Sequence, residues 1–153
     1  MISVPCENIH ATLIVLDDKG VLLRGPSGSG KSTLAYALID AYVGQNRLAR
    51  LVADDRVLAE RHGERLIGTC PPSICGLMEV SGAGITRWPV LGACVIDFCF
   101  DLVDPALVER LPTPRWTAVC GLERPLFYLP ERSMMTARNI VRGCISASLI
   151  ADA

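Results

Sequence analysis

Aromatic residues make up only 5% of this 153-residue chain. Single-stranded nucleic acid is held by aromatic side chains placed in series, on which bases stack, and this chain is too poor in them to build such a platform. Neither sign of charge is in excess. Fifteen basic and sixteen acidic residues leave a net charge of −1, which argues against nucleic-acid binding through a broad basic field but leaves room for a local basic patch at a phosphorylated ligand. There is no uninterrupted apolar run of about 18 residues, the length that spans a bilayer. The stretch 93–100 is apolar apart from Asp97 and is too short to cross, so no membrane segment is expected. Seven cysteines are present, without a C-x-x-C and without a histidine near the Cys70/Cys75 or Cys94/Cys99 pairs, so no zinc site is expected. They read as small apolar residues in a reducing setting. No signal-like segment opens the chain, and a cytoplasmic location is the expectation.

What is present is more specific. Half the residues are hydrophobic, and the length suits one domain, 1–153, with a real aliphatic core. Residues Gly25, Pro26, Ser27, Gly28, Ser29, Gly30, Lys31 and Ser32 spell a complete G-x-x-x-x-G-K-[ST] loop. An apolar stretch, Val21-Leu22-Leu23, precedes it and reads as a strand. Thr33-Leu34-Ala35-Tyr36-Ala37-Leu38-Ile39 follows and reads as a helix. In that context the glycines let successive N–H groups turn inward onto phosphate oxygens, and the helix N-terminus adds its positive dipole end. Lys31 would reach the β- and γ-phosphates and the Ser32 hydroxyl would ligate Mg²⁺. The chain is therefore expected to bind a nucleoside triphosphate through Gly25 to Thr33.

Around the loop, Ala11 to Leu16 reads as a strand joined to Val21–Leu23 by the turn Asp17-Asp18-Lys19-Gly20. Leu34, Leu38 and Tyr42, flanked by Ala35, Ile39 and Val43, form an apolar helical stripe that ends near Gly44-Gln45-Asn46. Residues 51–53 are a strand candidate, 57–68 a second hairpin, and 77–80, 93–100 and 116–119 further strands; 133–149 reads as the C-terminal helix. Many short strands with only two helices make this an α/β chain, without the regular alternation of a Rossmann sheet.

Three further positions carry chemistry. The strand Leu51-Val52-Ala53 ends in Asp54-Asp55, and an acid at a strand end is the usual way to set a carboxylate beside a Mg²⁺-phosphate site. Adjacent carboxylates there project differently, so one can serve the metal while the other faces a nucleophile. His10 opens the strand before the loop, either as a structural residue or as a contact to a phosphate or catalytic carboxylate. Glu79 precedes Gly82-Ala83-Gly84, either as an exposed strand residue or as part of a metal shell.

The order His10, Gly25 to Ser32, Leu51 to Asp55, Pro71-Pro72, then Gly76-Leu77-Met78-Glu79-Val80-Ser81-Gly82-Ala83-Gly84-Ile85 resembles the catalytic domain of HPr kinase/phosphorylase, in a short form. The resemblance is close over roughly residues 5 to 90. It implies a P-loop phosphotransferase core of the HPr kinase and phosphoenolpyruvate carboxykinase type, a mixed sheet of short strands with few helices. It implies ATP and Mg²⁺ as cofactors, and a serine of an HPr-like phosphocarrier of the sugar phosphotransferase system as acceptor. It also implies reversal by phosphorolysis, with inorganic phosphate consumed and pyrophosphate released, and a homo-hexamer. By the same resemblance, Asp55 accepts the serine proton, Lys31 and His10 fall on catalytic positions, and Ser32 and Glu79 on metal-ligand positions. Asp54 is the alternative base. Outside the resemblance, a small-molecule kinase and a nucleotide sensor with weak catalysis remain open.

Three features depart from that family. Ser81 stands where an arginine is usual, with Arg87 as a candidate substitute source of charge. A glycine-rich segment with a catalytic arginine is missing between Trp88-Pro89 and Ala93. The C-terminal region tied to dephosphorylation is echoed only by Ala137-Arg138-Asn139.

Overall fold

The structure is a computed structural model that describes residues 6–152. Its strands are β1 (Cys6–Ile9), β2 (Ala11–Leu16), β3 (Lys19–Arg24), β4 (Ala49–Ala53), β5 (Val57–His62), β6 (Arg65–Thr69), β7 (Leu77–Val80), β8 (Gly84–Arg87), β9 (Ala93–Val95), β10 (Phe98–Val103), β11 (Arg115–Val119) and β12 (Leu122–Pro130). Two α-helices, α1 (Lys31–Gly44) and α2 (Met134–Asp152), complete the described elements, together with two short 3-10 turns.

Six strands form a mixed sheet in the order β11-β12-β10-β3-β2-β4. Within it β3, β10 and β12 run parallel, while β2 runs antiparallel to both β3 and β4. Both faces of this sheet are covered. Ile14, Leu16, Val21 and Leu23 pack with Leu34, Leu38 and Tyr42 of α1 and with Val141 and Ile145 of α2. Leu13, Val15, Leu22 and Cys99 point the other way and pack with Ala59 and Leu66 of a second sheet, ordered β1-β5-β6-β9. Burial on two faces explains why β2 reads as an unbroken apolar run rather than an alternating one.

The expected strand over 93–100 is two strands in two sheets. The chain breaks at Ile96–Asp97, where Asp97 accepts the Gly20 N–H on its carboxylate (2.8 Å) and returns its own N–H to the Gly20 carbonyl (2.9 Å). Gly20 is required there, because a Cβ would lie 1.7 Å from the Val95 carbonyl oxygen. His10 does not open β2 but sits in the bend between β1 and β2. Strands β1, β8 and β12 are not among the strands expected from the sequence. Val43, expected on the buried stripe, is 49% exposed.

The cysteine expectation holds for part of the set. Cys70, Cys99 and Cys120 are buried, Cys94 and Cys144 half-buried, and Cys75 exposed; the Cys6 side chain lies outside the described residues. Burial pushes the thiols of Cys99 and Cys144 up to about 11 and that of Cys94 to about 12. Burial, then the neighbouring Cys75 thiol, pushes Cys70 up to about 12. Thiols so placed are protonated and unreactive at neutral pH.

Candidate active site

Strand directions decide what meets at the sheet edge. Because β2 runs against both β3 and β4, the start of β2 and the ends of β3 and β4 share one edge. The bend at His10, the loop after Arg24 and the Asp54-Asp55 pair therefore converge. Four polar or charged side chains are buried among the described residues, Thr12, Ser29, Lys31 and Asp54, and all four belong to this edge. Burying polar groups is costly without partners, so their concentration here marks the site.

The loop folds as its glycines require. Gly28 and Gly30 sit at φ 81° and 103°, in the left-handed region where a Cβ is strained. Gly30 then caps α1, which begins at Lys31. Lys31 Nζ donates to the carbonyls of Gly25 (2.7 Å) and Pro26 (3.1 Å). Burial pushes its ammonium below the ordinary lysine value of 10.5, against the opposing pull of Asp55 and then Asp54.

The acidic pair is split by a tight turn. Arg56 N–H donates to the Asp54 carbonyl (2.8 Å) around Asp55, whose φ is 69°. This is a γ-turn of the rare positive-φ kind, and strain of this sort is characteristic of functional positions. Asp54 consequently faces inward at 6% exposure. Its Oδ1 accepts from the hydroxyls of Ser32 (2.7 Å) and Thr12 (2.8 Å), and its Oδ2 from the Glu79 N–H (3.3 Å). Asp55 faces outward, its side chain 69% exposed, with Oδ1 3.2 Å from His10 Nε2. Asp54 thus orients Ser32, and Asp55 is the carboxylate open to an incoming group.

A cavity of about 220 Å³ joins these parts. It is lined by the loop, by Lys31, Ser32 and Thr33, and by His10, Asp55, Glu79 and Ser81. The β7–β8 hairpin brings Glu79 there and is anchored by Met78, 1% exposed, and by Trp88 set edge-on to Tyr36 of α1 (5.1 Å). Among the described residues no group of three or more His, Cys, Asp or Glu forms a metal cage. The hydroxyl and carboxylate oxygens of Ser32 and Glu79 suit Mg²⁺, which typically takes one or two protein oxygens and completes its shell with substrate phosphates and water. Arg87, offered as a substitute source of charge, lines neither this cavity nor its neighbours at the loop. Thr12 was missed in the sequence, where a threonine inside an apolar strand gives no sign of its hydrogen bond to Asp54.

Comparison with known proteins agrees with this architecture. The sequence profile described as HPr Serine kinase C-terminal domain matches residues 4–90. The HPr kinase/phosphorylase of Lactobacillus acidophilus is 39% identical over 146 residues, covering 88% of this chain and 42% of that protein. That of Limosilactobacillus reuteri is 40% identical over 82 residues, covering 53% of this chain and 24% of the relative. The chain thus spans between about a quarter and less than half of the curated relatives' length. The structure of the Hpr(Ser) kinase/phosphatase from Coxiella burnetii superposes with a TM-score of 0.78 at 26% identity, covering 95% of this chain and 94% of that one. With the matched stretch holding the loop, the split acidic pair and the Glu79 hairpin, the chain belongs to the HPr Serine kinase C-terminal domain family.

Proposed function

We propose that this protein transfers the γ-phosphoryl group of ATP to a serine of an HPr-like phosphocarrier. The observation that carries this is the division of labour at Asp54-Asp55: one carboxylate buried on Ser32, the other exposed beside His10 in the loop cavity. Phosphoryl transfer needs positioning and charge neutralisation more than covalent chemistry. The loop N–H groups and Lys31 hold the phosphates, Lys31 exchanging its carbonyl partners for phosphate oxygens. Ser32 and Glu79 would hold Mg²⁺, which supplies charge neutralisation at the β- and γ-phosphates. Asp55 orients the acceptor serine and takes its proton as the serine oxygen bonds to the γ-phosphorus and the bond to the β-phosphate oxygen breaks, leaving phosphoserine and ADP. His10 fixes the Asp55 carboxylate. Run backwards, inorganic phosphate attacks phosphoserine, Asp55 returns the proton to the serine oxygen, and pyrophosphate leaves. The same proposal includes assembly into hexamers in the cytoplasm.

One observation favours a second reading, a nucleotide sensor with weak catalysis. Among the described residues no arginine lines the cavity that holds Asp55, and arginine is a common source of transition-state charge. Incubation with γ-labelled ATP, in parallel with purified HPr-like carrier and with a panel of small metabolites, separates the classes. Label on the carrier supports the serine kinase. Label on a metabolite supports a small-molecule kinase, and binding without turnover supports the sensor.

A further inference from the structure

Cys70 and Cys75 bracket a reversal of the chain beside the catalytic edge. Cys70 follows the end of β6 and packs into the core between the two sheets, with Ile74 against it. The residues between them close as a 3-10 turn over Pro72–Ile74, the Ile74 N–H donating to the Pro71 carbonyl (3.1 Å). So tight a turn advances the chain little. It brings the exposed Cys75 back into hydrogen-bonding contact with the buried Cys70 thiol. The two sulfurs are neighbours, one closed off from solvent and one open to it.

The pair touches the site on two sides. Cys70 lies near enough to Asp54 to feel its charge. Ile74, inside the turn, lines a cavity of about 290 Å³ together with Ser32, Asp54, Asp55 and Glu79. Beyond Cys75, Gly76 turns at φ 81° and leads directly into β7, the strand that carries Glu79. The Glu79 N–H holds Asp54 through a long bond of 3.3 Å, which a small shift of β7 would break.

We propose that Cys70 and Cys75 form a reversible disulfide when the protein meets a peroxide, and that its closure displaces the Glu79 strand from Asp54. Cys75, the open sulfur, reacts first. As thiolate it attacks one peroxide oxygen, the O–O bond breaks, water leaves, and Cys75 becomes a sulfenic acid. The Cys70 sulfur then attacks the Cys75 sulfur. The S–S bond forms, the S–O bond breaks, and the Cys70 proton departs with the hydroxyl as a second water. Two thiols and one hydrogen peroxide thus give one disulfide and two waters. Cys70 is inert toward oxidant in solution, but its attack on an adjacent sulfenic acid is intramolecular and strongly favoured. The bond of about 2.05 Å is much shorter than a contact between thiols, so closure draws Cys75 and the start of β7 toward Cys70. In reducing compartments disulfides are characteristically of this transient, sensing kind.

Wild-type protein and Cys75→Ser, each first reduced and then exposed to graded hydrogen peroxide, test this. Cys75 is exposed and outside the proposed machinery, so the reduced variant should bind ATP as wild type does. Peptide mass mapping of oxidised wild type should find Cys70 joined to Cys75, and dithiothreitol should release them. Affinity for ATP with Mg²⁺ should weaken about three- to tenfold on oxidation, recover with dithiothreitol, and stay constant in Cys75→Ser. A matching loss of phosphoryl transfer rests on the function proposed above and is read on the same samples with HPr-like carrier. Reduced protein that binds ATP but transfers nothing would count against that function, while the crosslink and the change in affinity still decide this proposal. Oxidation of Cys75 without a crosslink, a crosslink between other cysteines, a Cys70–Cys75 bond that leaves ATP affinity unchanged, or an equal loss in Cys75→Ser would overturn it.

Discussion

Asp54 and Asp55 are neighbours in sequence with opposite surroundings, and substituting each in turn should separate stability from turnover. Asp54→Ala removes the acceptor of two side-chain hydroxyls and one backbone N–H. A hydrogen bond to a charged group contributes about 1.5–3 kcal/mol. The Thr12 hydroxyl is fully buried and is left unpaired, whereas Ser32 is half-buried and regains water. The two losses are coupled through one carboxylate and do not add fully, so the expected destabilisation is about 2–4 kcal/mol. Asp55→Asn alters a side chain that is 69% exposed and touches His10, so its stability should change by less than about 0.5 kcal/mol. Its phosphoryl transfer should nevertheless fall by about 10² to 10⁴, the usual contribution of a positioned base, with ATP affinity within a few-fold. Urea unfolding and transfer from labelled ATP measure the two quantities. A stable Asp54→Ala protein, or an Asp55→Asn protein that loses stability or ATP binding while keeping turnover, would refute this division. In the second case Asp55 would be a metal ligand and Asp54 the better base.

Further outcomes follow from the same geometry. Lys31→Ala should abolish transfer and sharply weaken triphosphate binding, read by calorimetry; retained activity would remove the phosphate-loop assignment. Burial holds the Lys31 pKa below 10.5, while a bound triphosphate favours its charged form. Wild-type affinity should therefore decline with rising pH already below 10.5, and a titration that stays flat until that value would contradict it. Burial raises the Asp97 carboxyl above its ordinary 3.8, so the fold holds that proton more tightly than the unfolded chain. Its contribution is fully present below pH 3.8 and is lost as pH rises through the higher folded value. Asp97→Asn keeps an acceptor for the Gly20 N–H and removes the buried charge, so its stability at pH 7 should match or exceed wild type and that acid-range slope should vanish; a loss of more than about 1 kcal/mol would contradict this.

The sequence made the edge that carries the glycine-rich loop legible because its parts are local. The loop, the β2–β3 hairpin and the Asp54-Asp55 strand end each declare themselves through spacing and turn residues within a few positions. The strand bounds of β2 came out as Ala11–Leu16, since a run buried on both faces has sharp ends. What was not legible depends on distant partners. The division of residues 93–100 follows from a clasp between Asp97 and Gly20, 77 positions apart. Strand β12 contains Pro125 and Arg124, which mask its pattern, and Thr12 gains its meaning only from Asp54 across the sheet. Arg132 lies in a turn with no motif, and Arg87, paired with Leu77 at the far end of its hairpin, lines none of the loop cavities.

The central claim is transfer to a serine of a carrier, and the most direct measurement is ³²P transfer from γ-labelled ATP to purified HPr-like carrier, compared with the same carrier whose acceptor serine is alanine. Label on the wild-type carrier alone is the predicted result, and excess inorganic phosphate should then release it as pyrophosphate. No label on either carrier, with ATP binding intact, would contradict the claim.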